Sequence, residues 1–334
     1  MLPHNPRKPG QNCSQEVFFM CTALSWQGAA HWFGRNLDLE RSYGESVAVT
    51  PRNYPFAFRN GELLTRHHAM IGMAHVAHGF PLYYEATNEH GLSMAGLNFP
   101  HSCRYHPRRE DKTNVASFEL ISWLLGRCAT LDQARAALET VSIWDESFAP
   151  QLPSSPLHWL VAHHTGTLVV ESTAEGLQLY ENDTRVLTHE PPFPFHRANL
   201  QQYHALTPEE PAAPAFSRGM GTRGLPGGLD SASRFVRAAF TARHARPGAD
   251  EPQDVAQFFH ILGSVAQTDG CCHLGGGQYE MTLYSSCCSD EGLYYYTTYH
   301  NPSPTAVDLR REDREGAAVV SYPLCTRLQV VRQN

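Results

Sequence analysis

Apolar residues in this chain mostly alternate with polar ones or form short runs, and helical spacing is confined to a few segments. This pattern predicts strands over residues 21–26, 31–40, 82–87, 92–98, 157–163, 167–173, 177–182, 186–189, 278–287, 292–299 and 327–332. Helical spacing appears over 117–128, 231–245 and 255–266, and Thr130 with Gln133 resembles a capping box that opens a helix to about residue 141. The order favours one α+β domain, with two sheets between helix layers, over a parallel βαβ sheet.

Composition narrows the class of protein. The chain has 334 residues, 42% of them hydrophobic, and a formal net charge of -7. No apolar run is long enough to span a bilayer, so we expect no membrane segment. The acidic balance argues against nucleic acid as a partner, because phosphate binding needs basic patches.

The nine cysteines favour a reducing compartment. Their number is odd, and the adjacent pairs Cys271-Cys272 and Cys287-Cys288 do not have the spacing of a small secreted disulfide scaffold. No signal peptide is present at the start of the chain. We therefore expect a cytoplasmic protein.

The first nineteen residues, MLPHNPRKPGQNCSQEVFF, look foreign to the domain that follows. They are polar and proline-rich, and codons for residues 15–17 can spell AGGAGGT, a bacterial ribosome-binding sequence, just upstream of Met20. We expect residues 1–20 to be a leader or propeptide that is absent from the mature protein, and residues 21–334 to form a single domain. The alternative is a tail on a protein for which Cys21 is unimportant.

Cys21 becomes the N-terminal residue if the chain begins at Met20 and that methionine is lost. A thiol has a pKa of about 8.5 and an α-amino group a pKa of about 7.7–8.0, so one residue then carries both a nucleophile and a base suited to neutral pH. Such a residue can attack an amide and form a thioester that water hydrolyses. The alternative is an ordinary buried strand cysteine.

Four ordered motifs accompany Cys21: MCTA at 20–23, FGRNLD at 33–38, NEHGL at 88–92 with AGLNFP at 95–100, and SRFVR at 233–237. With HILGSV at 260–265 and YSSC at 284–287, they resemble the choloylglycine hydrolase family, which contains bile salt hydrolases and penicillin V acylases. The resemblance covers nearly the whole chain from Cys21. It implies a four-layer αββα fold of two antiparallel sheets and a cysteine as N-terminal nucleophile.

The resemblance also implies roles for further residues. Arg35 matches the arginine that stabilises the thiolate, and Asp38 the aspartate that orients the α-amino group. Asn98 matches an asparagine on the oxyanion side, where penicillin acylases tend to carry tyrosine. Arg234 matches an active-site arginine of the family. Arg35 and Asp38 are three apart and do not share a strict strand face, so a bend near Leu37 or a strand end is needed for both to reach Cys21.

One position departs from the family pattern. The segment VLTHEP at 186–191 has His189 where the family usually has an asparagine of the oxyanion hole. A neutral imidazole has one N–H donor, which suits the role, but its reach and tautomer differ from those of an amide. The oxyanion assignment of His189 therefore stays open, while the fold does not depend on it.

The resemblance implies a bile salt hydrolase that cleaves glycine- or taurine-conjugated bile salts and needs no cofactor or metal. It also implies a homo-oligomer, since family members are often tetramers. An acylase acting on penicillin V or acyl-homoserine lactones is the alternative within the family. A non-catalytic or zinc-binding protein is the alternative outside it, but the Cys-Cys pairs lack the C-x-x-C spacing of a zinc knuckle.

Overall fold

Two antiparallel sheets lie face to face at the centre of the molecule. The computed structural model describes residues 20–212, 217–328 and 330–334. The strands of this part, in chain order, are β1 (Cys21–Gln27), β2 (His31–Leu39), β3 (Ser46–Thr50), β4 (Phe56–Ala57), β5 (Leu63–Leu64), β6 (Met70–Ala77), β7 (Phe80–Asn88), β8 (Ser93–Asn98), β9 (Thr113–Ala116), β10 (Val141–Trp144), β11 (Leu157–His163), β12 (Gly166–Thr173), β13 (Gly176–Glu181), β14 (Val186–Leu187), β15 (Cys272–Gly275), β16 (Gln278–Ser289), β17 (Leu293–Thr298), β18 (Asn301–Asp308) and β19 (Val320–Pro323).

The first sheet has the order β14-β1-β2-β16-β17-β18, with β15 paired to β16, and the second has the order β13-β12-β11-β8-β7-β6-β3-β19. Two small ribbons, β4-β5 and the parallel pair β9-β10, lie outside them. The α-helices are α1 (Leu120–Leu125), α2 (Leu131–Glu139), α3 (Phe193–Leu200), α4 (Ser231–His244) and α5 (Glu251–Gly263).

Helices cover the outer face of each sheet. Helices α1 and α2 contact β7, β8, β11 and β12 of the second sheet, and α4 and α5 contact β1, β2, β14 and β16 of the first. One apolar core fills the space between the sheets and beneath α4 and α5, and another lies beneath α1 and α2. The predicted four-layer αββα fold is therefore confirmed.

Strand β2 is buried along its whole length, because one face meets the second sheet and the other meets the helix layer. Polar groups on both faces must then find partners inside the protein. Arg35 donates from Nη1 to the carbonyl of Gly96 in β8 at 2.6 Å. Asn36 donates from Nδ2 to the carbonyl of Leu262 in α5 at 3.0 Å. Strand β2 therefore places polar side chains on both of its faces, and these form hydrogen bonds with the second sheet on one side and with the helix layer on the other.

Most predicted elements are present, with shifted ends. The hairpin at residues 88–91 joins β7 to β8, where Gly91 has a φ of +80°. Thr130 caps α2 by accepting from the backbone N–H of Gln133 at 3.3 Å. That helix ends at Glu139 and not at 141, because Val141 begins β10. The helix predicted over 117–128 is a short 3₁₀ turn followed by α1.

The strand predicted over 327–332 is wrong. None of the described residues in that range belongs to a strand, and Leu328, Val330 and Val331 are exposed. The last strand is β19, which pairs with β3. Strands β3 and β6 were not predicted, because a strand buried on both faces shows no alternation. The leader expected at residues 1–20 lies outside the described residues except for Met20.

No helix in the described part of the chain combines the length and apolarity needed to cross a bilayer.

Candidate active site

Cys21 is the first residue of β1 and is buried, with its side chain 2% exposed. Its Cα pairs with that of Leu37 in β2, and the backbone N–H of Asp38 donates to the carbonyl of Met20 at 3.1 Å. Burial raises the pKa of the thiol, and the positive charge of Arg35 opposes that rise. The start of β1 is thus held tightly against β2, with charged groups around the sulfur.

Arg35 reaches across to the second sheet. Its Nη1 donates to the carbonyls of Gly96 and Tyr84, at 2.6 and 3.1 Å, and its Nε lies 4.0 Å from Oε2 of the buried Glu85. Its Nη2 has no hydrogen-bond partner in the described part of the chain. The guanidinium is therefore fixed by carbonyls and keeps one nitrogen available to a reacting group.

Asp38 points to the opposite side of β2. Its Oδ1 accepts from the hydroxyl of Thr282 at 2.6 Å, and its Oδ2 lies 3.8 Å from Nη1 of Arg234 in α4. Burial raises the pKa of Asp38 to about 6, against the opposing effects of Arg234 and Thr282. Asp38 and Arg35 thus change the pKa of the Cys21 thiol from opposite faces of β2. No bend in β2 is needed for both residues to act on Cys21.

The irregularity predicted near Leu37 lies instead in the neighbouring strand. In β16, Thr282 pairs with Asp38 and Tyr284 pairs with Leu37, which leaves Leu283 as an extra residue. Such a bulge reverses the facing of the side chains on either side of it. Thr282 therefore faces Asp38, whereas the hydroxyl of Tyr284 donates to Glu85 of the second sheet at 2.7 Å.

Arg234 connects α4 to the start of β1. Asp230 caps this helix by accepting from the backbone N–H of Ser233 at 3.0 Å, and Arg234 follows in the first turn. Its Nη1 donates to the carbonyl of Cys21 at 2.8 Å and to the hydroxyl of Thr22 at 2.5 Å. The guanidinium therefore fixes both the Cys21 backbone and the Asp38 carboxylate.

His189 lies against Arg234 and follows the end of β14. Its Nε2 is 3.3 Å from Nη2 of Arg234, and a guanidinium can only donate, so Nε2 accepts and the ring proton is on Nδ1. Burial and the charge of Arg234 lower the pKa of His189 well below its usual range. His189 is therefore a neutral imidazole whose Nε2 is already engaged.

Asn98 is the last residue of β8 and is buried. Its Cα pairs with that of Leu157 in β11, and the next backbone N–H, of Phe99, donates to the carbonyl of Pro156 at 2.8 Å. Asn98 thus stands where β8 leaves the sheet, two residues beyond the Gly96 carbonyl that holds Arg35.

Glu280 is a further residue of this site that the sequence interpretation missed. Its Oε1 accepts from the backbone N–H of Met20, and the thiol of Cys272 lies 3.6 Å from its Oε2. Burial, and then the charge of Asp38, raise the pKa of Glu280 to about 8. The sequence signal that could have identified it is a glutamate inside the strand predicted over 278–287, two residues before Thr282.

The cysteine pairs do not gather into a metal site among the described residues. Cys271 is exposed and Cys272 contacts Glu280, whereas Cys287 and Cys288 are buried in successive positions of β16. Three other potential ligands do converge, namely His68, Glu89 and His90. Both oxygens of Glu89 accept from Arg52, so this carboxylate is already neutralised.

Known proteins resemble this chain over most of its length. The family model described as linear amide C-N hydrolases, choloylglycine hydrolase family, matches residues 21–322. A bile salt hydrolase/transferase of Lactiplantibacillus plantarum is 45% identical over 94% of this chain and 100% of its own length.

Solved structures agree in fold. A crystal structure of a conjugated bile acid hydrolase variant from Clostridium perfringens superposes with a TM-score of 0.87 at 32% identity, over 94% of this chain and 100% of its own. A penicillin V acylase from Agrobacterium tumefaciens shares the fold, with a TM-score of 0.74 at 19% identity over 90% of each chain. With the family model matched from Cys21 nearly to the end, the chain belongs to the choloylglycine hydrolase family of linear amide C–N hydrolases.

Proposed function

We propose that this protein is a bile salt hydrolase that cleaves the amide bond of glycine- or taurine-conjugated bile salts. The observation that carries the proposal is the full-length match to the Lactiplantibacillus plantarum bile salt hydrolase/transferase at 45% identity. The site supports amide cleavage, because it surrounds a buried cysteine with two arginines and two carboxylates. Water is the second substrate, and the mechanism needs no cofactor or metal.

We also propose that residues 1–20 are absent from the working enzyme and that 21–334 form one domain. The family model begins its match at Cys21, and about 6% of this chain lies outside the match to the full-length relative. With Met20 attached, the nitrogen of Cys21 belongs to an amide and cannot accept a proton. Once it is free, the α-amino group stands beside the thiol as a base.

The reaction then proceeds in two steps. The α-amino group takes the thiol proton, Sγ attacks the amide carbonyl, and the leaving amine takes up a proton as the C–N bond breaks. Water attacks the resulting thioester and releases the bile acid. Arg35 supports the thiolate, because a nearby cation lowers a thiol pKa. Asn98 donates to the developing oxyanion, a role worth about 2.7–4 kcal/mol in other enzymes.

The remaining residues hold the N-terminus in place. Asp38 and Glu280 orient the α-amino group, and Arg234 fixes Asp38 and the carbonyl of Cys21. His189 acts through Arg234, because its Nε2 accepts a hydrogen bond from Nη2 of that guanidinium. We further propose that the enzyme is cytoplasmic and a homotetramer, as the family resemblance implies.

The test uses the chain that begins at Met20, with the mass of its mature N-terminus measured. Protein starting at Cys21 should release glycine or taurine from a conjugated bile salt, and the Cys21→Ala variant should not. A chain that retains Met1 should be inactive, although it folds. Release from penicillin V or an acyl-homoserine lactone, with none from either conjugate, would replace this proposal by the acylase alternative. One zinc per chain with no activity would favour the non-catalytic alternative.

A further inference from the structure

Three side chains at the far end of β1 form a second constellation with the geometry of a hydrolytic triad. The hydroxyl oxygen of Ser25 is 2.8 Å from Nε2 of His31, and Nδ1 of His31 is 2.5 Å from Oδ1 of Asp290. Serine, histidine and carboxylate in this order are recognised by geometry and not by sequence position. None of the three contributes to the Cys21 site described above.

The fold itself brings the three together. In the β1-β2 hairpin, Ser25 pairs with Phe33 and Gln27 with His31, so Ser25 and His31 are diagonal neighbours on one face. Ser289 of β16 pairs with Trp32, which places the following residue, Asp290, beside His31. Ser25 is four residues from Cys21, about 13 Å along an extended strand. The two sites are therefore separate.

The hydrogen bonds fix where the protons lie. An aspartate carboxylate only accepts, so Nδ1 of His31 donates to Oδ1 of Asp290, and in the neutral ring Nε2 is the acceptor. Nε2 then accepts from the hydroxyl of Ser25. This is the tautomer in which histidine removes a proton from serine, with the aspartate holding the ring in orientation.

Arg185 supplies a positive charge next to the hydroxyl. Its Nη1 lies 3.3 Å from the oxygen of Ser25, and its Nη2 donates to the carbonyl of His164 at 3.4 Å. Within the described ranges no carboxylate lies within 4.0 Å of this guanidinium, and burial lowers its pKa. A half-buried cation without a counter-ion is suited to stabilise an oxyanion that forms at Ser25.

A cavity of about 650 Å³ opens beside Ser25, between α3, α4 and the end of β1. Its apolar wall includes Trp26, Leu200 and Phe240. Arg197 and Arg243 line it as well, and neither has an ion-pair partner in the part of the chain that the structure describes. Asp183 is the one carboxylate among the described lining residues, against the three guanidinium groups of Arg185, Arg197 and Arg243, so the lining favours a ligand with an apolar body and an anionic group.

We propose that Ser25, His31 and Asp290 form a second hydrolytic site, which acts on carboxylic esters with an apolar acyl chain and an anionic group. His31 takes the proton of Ser25 as its oxygen bonds to the ester carbonyl carbon. The bond from that carbon to the alcohol oxygen breaks, and the alcohol leaves with the proton from His31. Water then hydrolyses the acyl-serine and restores the hydroxyl, so that water is the sole co-reactant.

The test uses the full chain carrying Cys21→Ala, which removes the cysteine nucleophile and makes the result independent of bile salt hydrolysis. A fluorophosphonate probe should add its mass to the peptide that contains Ser25. The mono-4-nitrophenyl ester of suberic acid should be hydrolysed, and adding Ser25→Ala or His31→Gln should lower that rate at least tenfold. The matched control is Ser122→Ala, a buried serine without a histidine partner, which should change neither result.

Two further comparisons decide the interpretation. Arg197→Gln with Arg243→Gln should reduce the preference for the suberate ester over neutral 4-nitrophenyl octanoate, while hydrolysis of the neutral ester persists. If Ser25→Ala does not fold, labelling of the parent and the rate of His31→Gln remain decisive. Absence of the adduct at Ser25, or equal rates in the parent and the His31→Gln variant, would overturn the proposal.

Discussion

Arg234 and Asp38 form an ion pair that is fully removed from solvent, with 3.8 Å between Nη1 and Oδ2. The pair joins α4 to β2 beneath the carbonyl of Cys21, which accepts from the same Nη1. Buried pairs of this kind contribute little net stability, but removing one partner leaves an uncompensated charge. The position of the candidate nucleophile therefore depends on both partners being present.

Arg234→Met should destabilise the protein by about 3–5 kcal/mol, because it leaves the carboxylate of Asp38 buried and unpaired. Urea unfolding followed by circular dichroism measures the loss. The matched control is Arg237→Met on the same helix, whose guanidinium is only half-buried and donates to the carbonyl of Pro226. The Arg237 change should cost much less, and an equal cost in the two variants would contradict the role given to the buried pair.

Stability should depend on pH through Asp38 and Glu280. Burial raises their pKa values from 3.8 and 4.5 to about 6 and about 8. The folded chain therefore binds more protons than the unfolded chain between about pH 4 and 8, and the free energy of unfolding falls as the pH rises through that window. The melting temperature of the full chain should fall from pH 5 to pH 8.

The mature N-terminus should change that slope. A free α-ammonium group on Cys21 adds a positive charge beside both carboxylates and so lowers their pKa values. Protein starting at Cys21 should therefore lose less stability from pH 5 to pH 8 than the full chain. The Asp38→Asn, Glu280→Gln double variant of the full chain should also show a flatter profile. A steep, unchanged slope in that variant would assign the pH dependence to other groups.

Glu280→Gln in the mature enzyme should lower kcat for bile salt hydrolysis at least tenfold, because it removes a carboxylate that holds the α-amino group in reach of the thiol. The pH profile of kcat should also change, because the α-ammonium group loses the negative charge that stabilises it. A matched control is Glu315→Gln, an exposed carboxylate paired with Arg52. Equal kcat values for Glu280→Gln and the parent would remove Glu280 from the mechanism.

The acid limb of that profile is the decisive part, and it should move to lower pH. Loss of the negative charge at position 280 lowers the pKa of the neighbouring α-amino group, so the free amine persists in more acidic solution. Rates of glycine release measured from pH 4 to pH 8 give the position of the limb. A variant that merely distorts the site would lower kcat without moving it.

The sequence predicted the architecture well because αββα layers leave a strong pattern in the hairpins and in amphipathic helices such as α4. The motifs also predicted that Cys21, Arg35, Asp38 and Arg234 belong to one site, and the structure brings these four residues close together. The bulge at Leu283 could not be predicted, because Thr282 and Tyr284 have strand period 2 and look like residues of one face. Glu280 was missed for a different reason: a glutamate in a strand pattern looks like a residue that faces solvent, and only the fold shows that it is buried beside Asp38.

His189 is the residue for which structure most changes the expected mechanism. Its Nε2 accepts from Arg234, and its carbonyl accepts from Nε2 of His196 at 2.7 Å and from the hydroxyl of Ser231 at 2.9 Å. An asparagine at this position can offer Arg234 a carbonyl oxygen and the oxyanion an N–H donor at the same time.

His189→Asn should therefore keep or raise the turnover of a conjugated bile salt. His189→Ala should lower it, because Nη2 of Arg234 loses its partner. The two variants are compared with the parent by kcat and by the free energy of unfolding, so that a loss of rate without a loss of stability identifies a role in turnover. Equal kcat values in all three proteins would exclude His189 from the reaction.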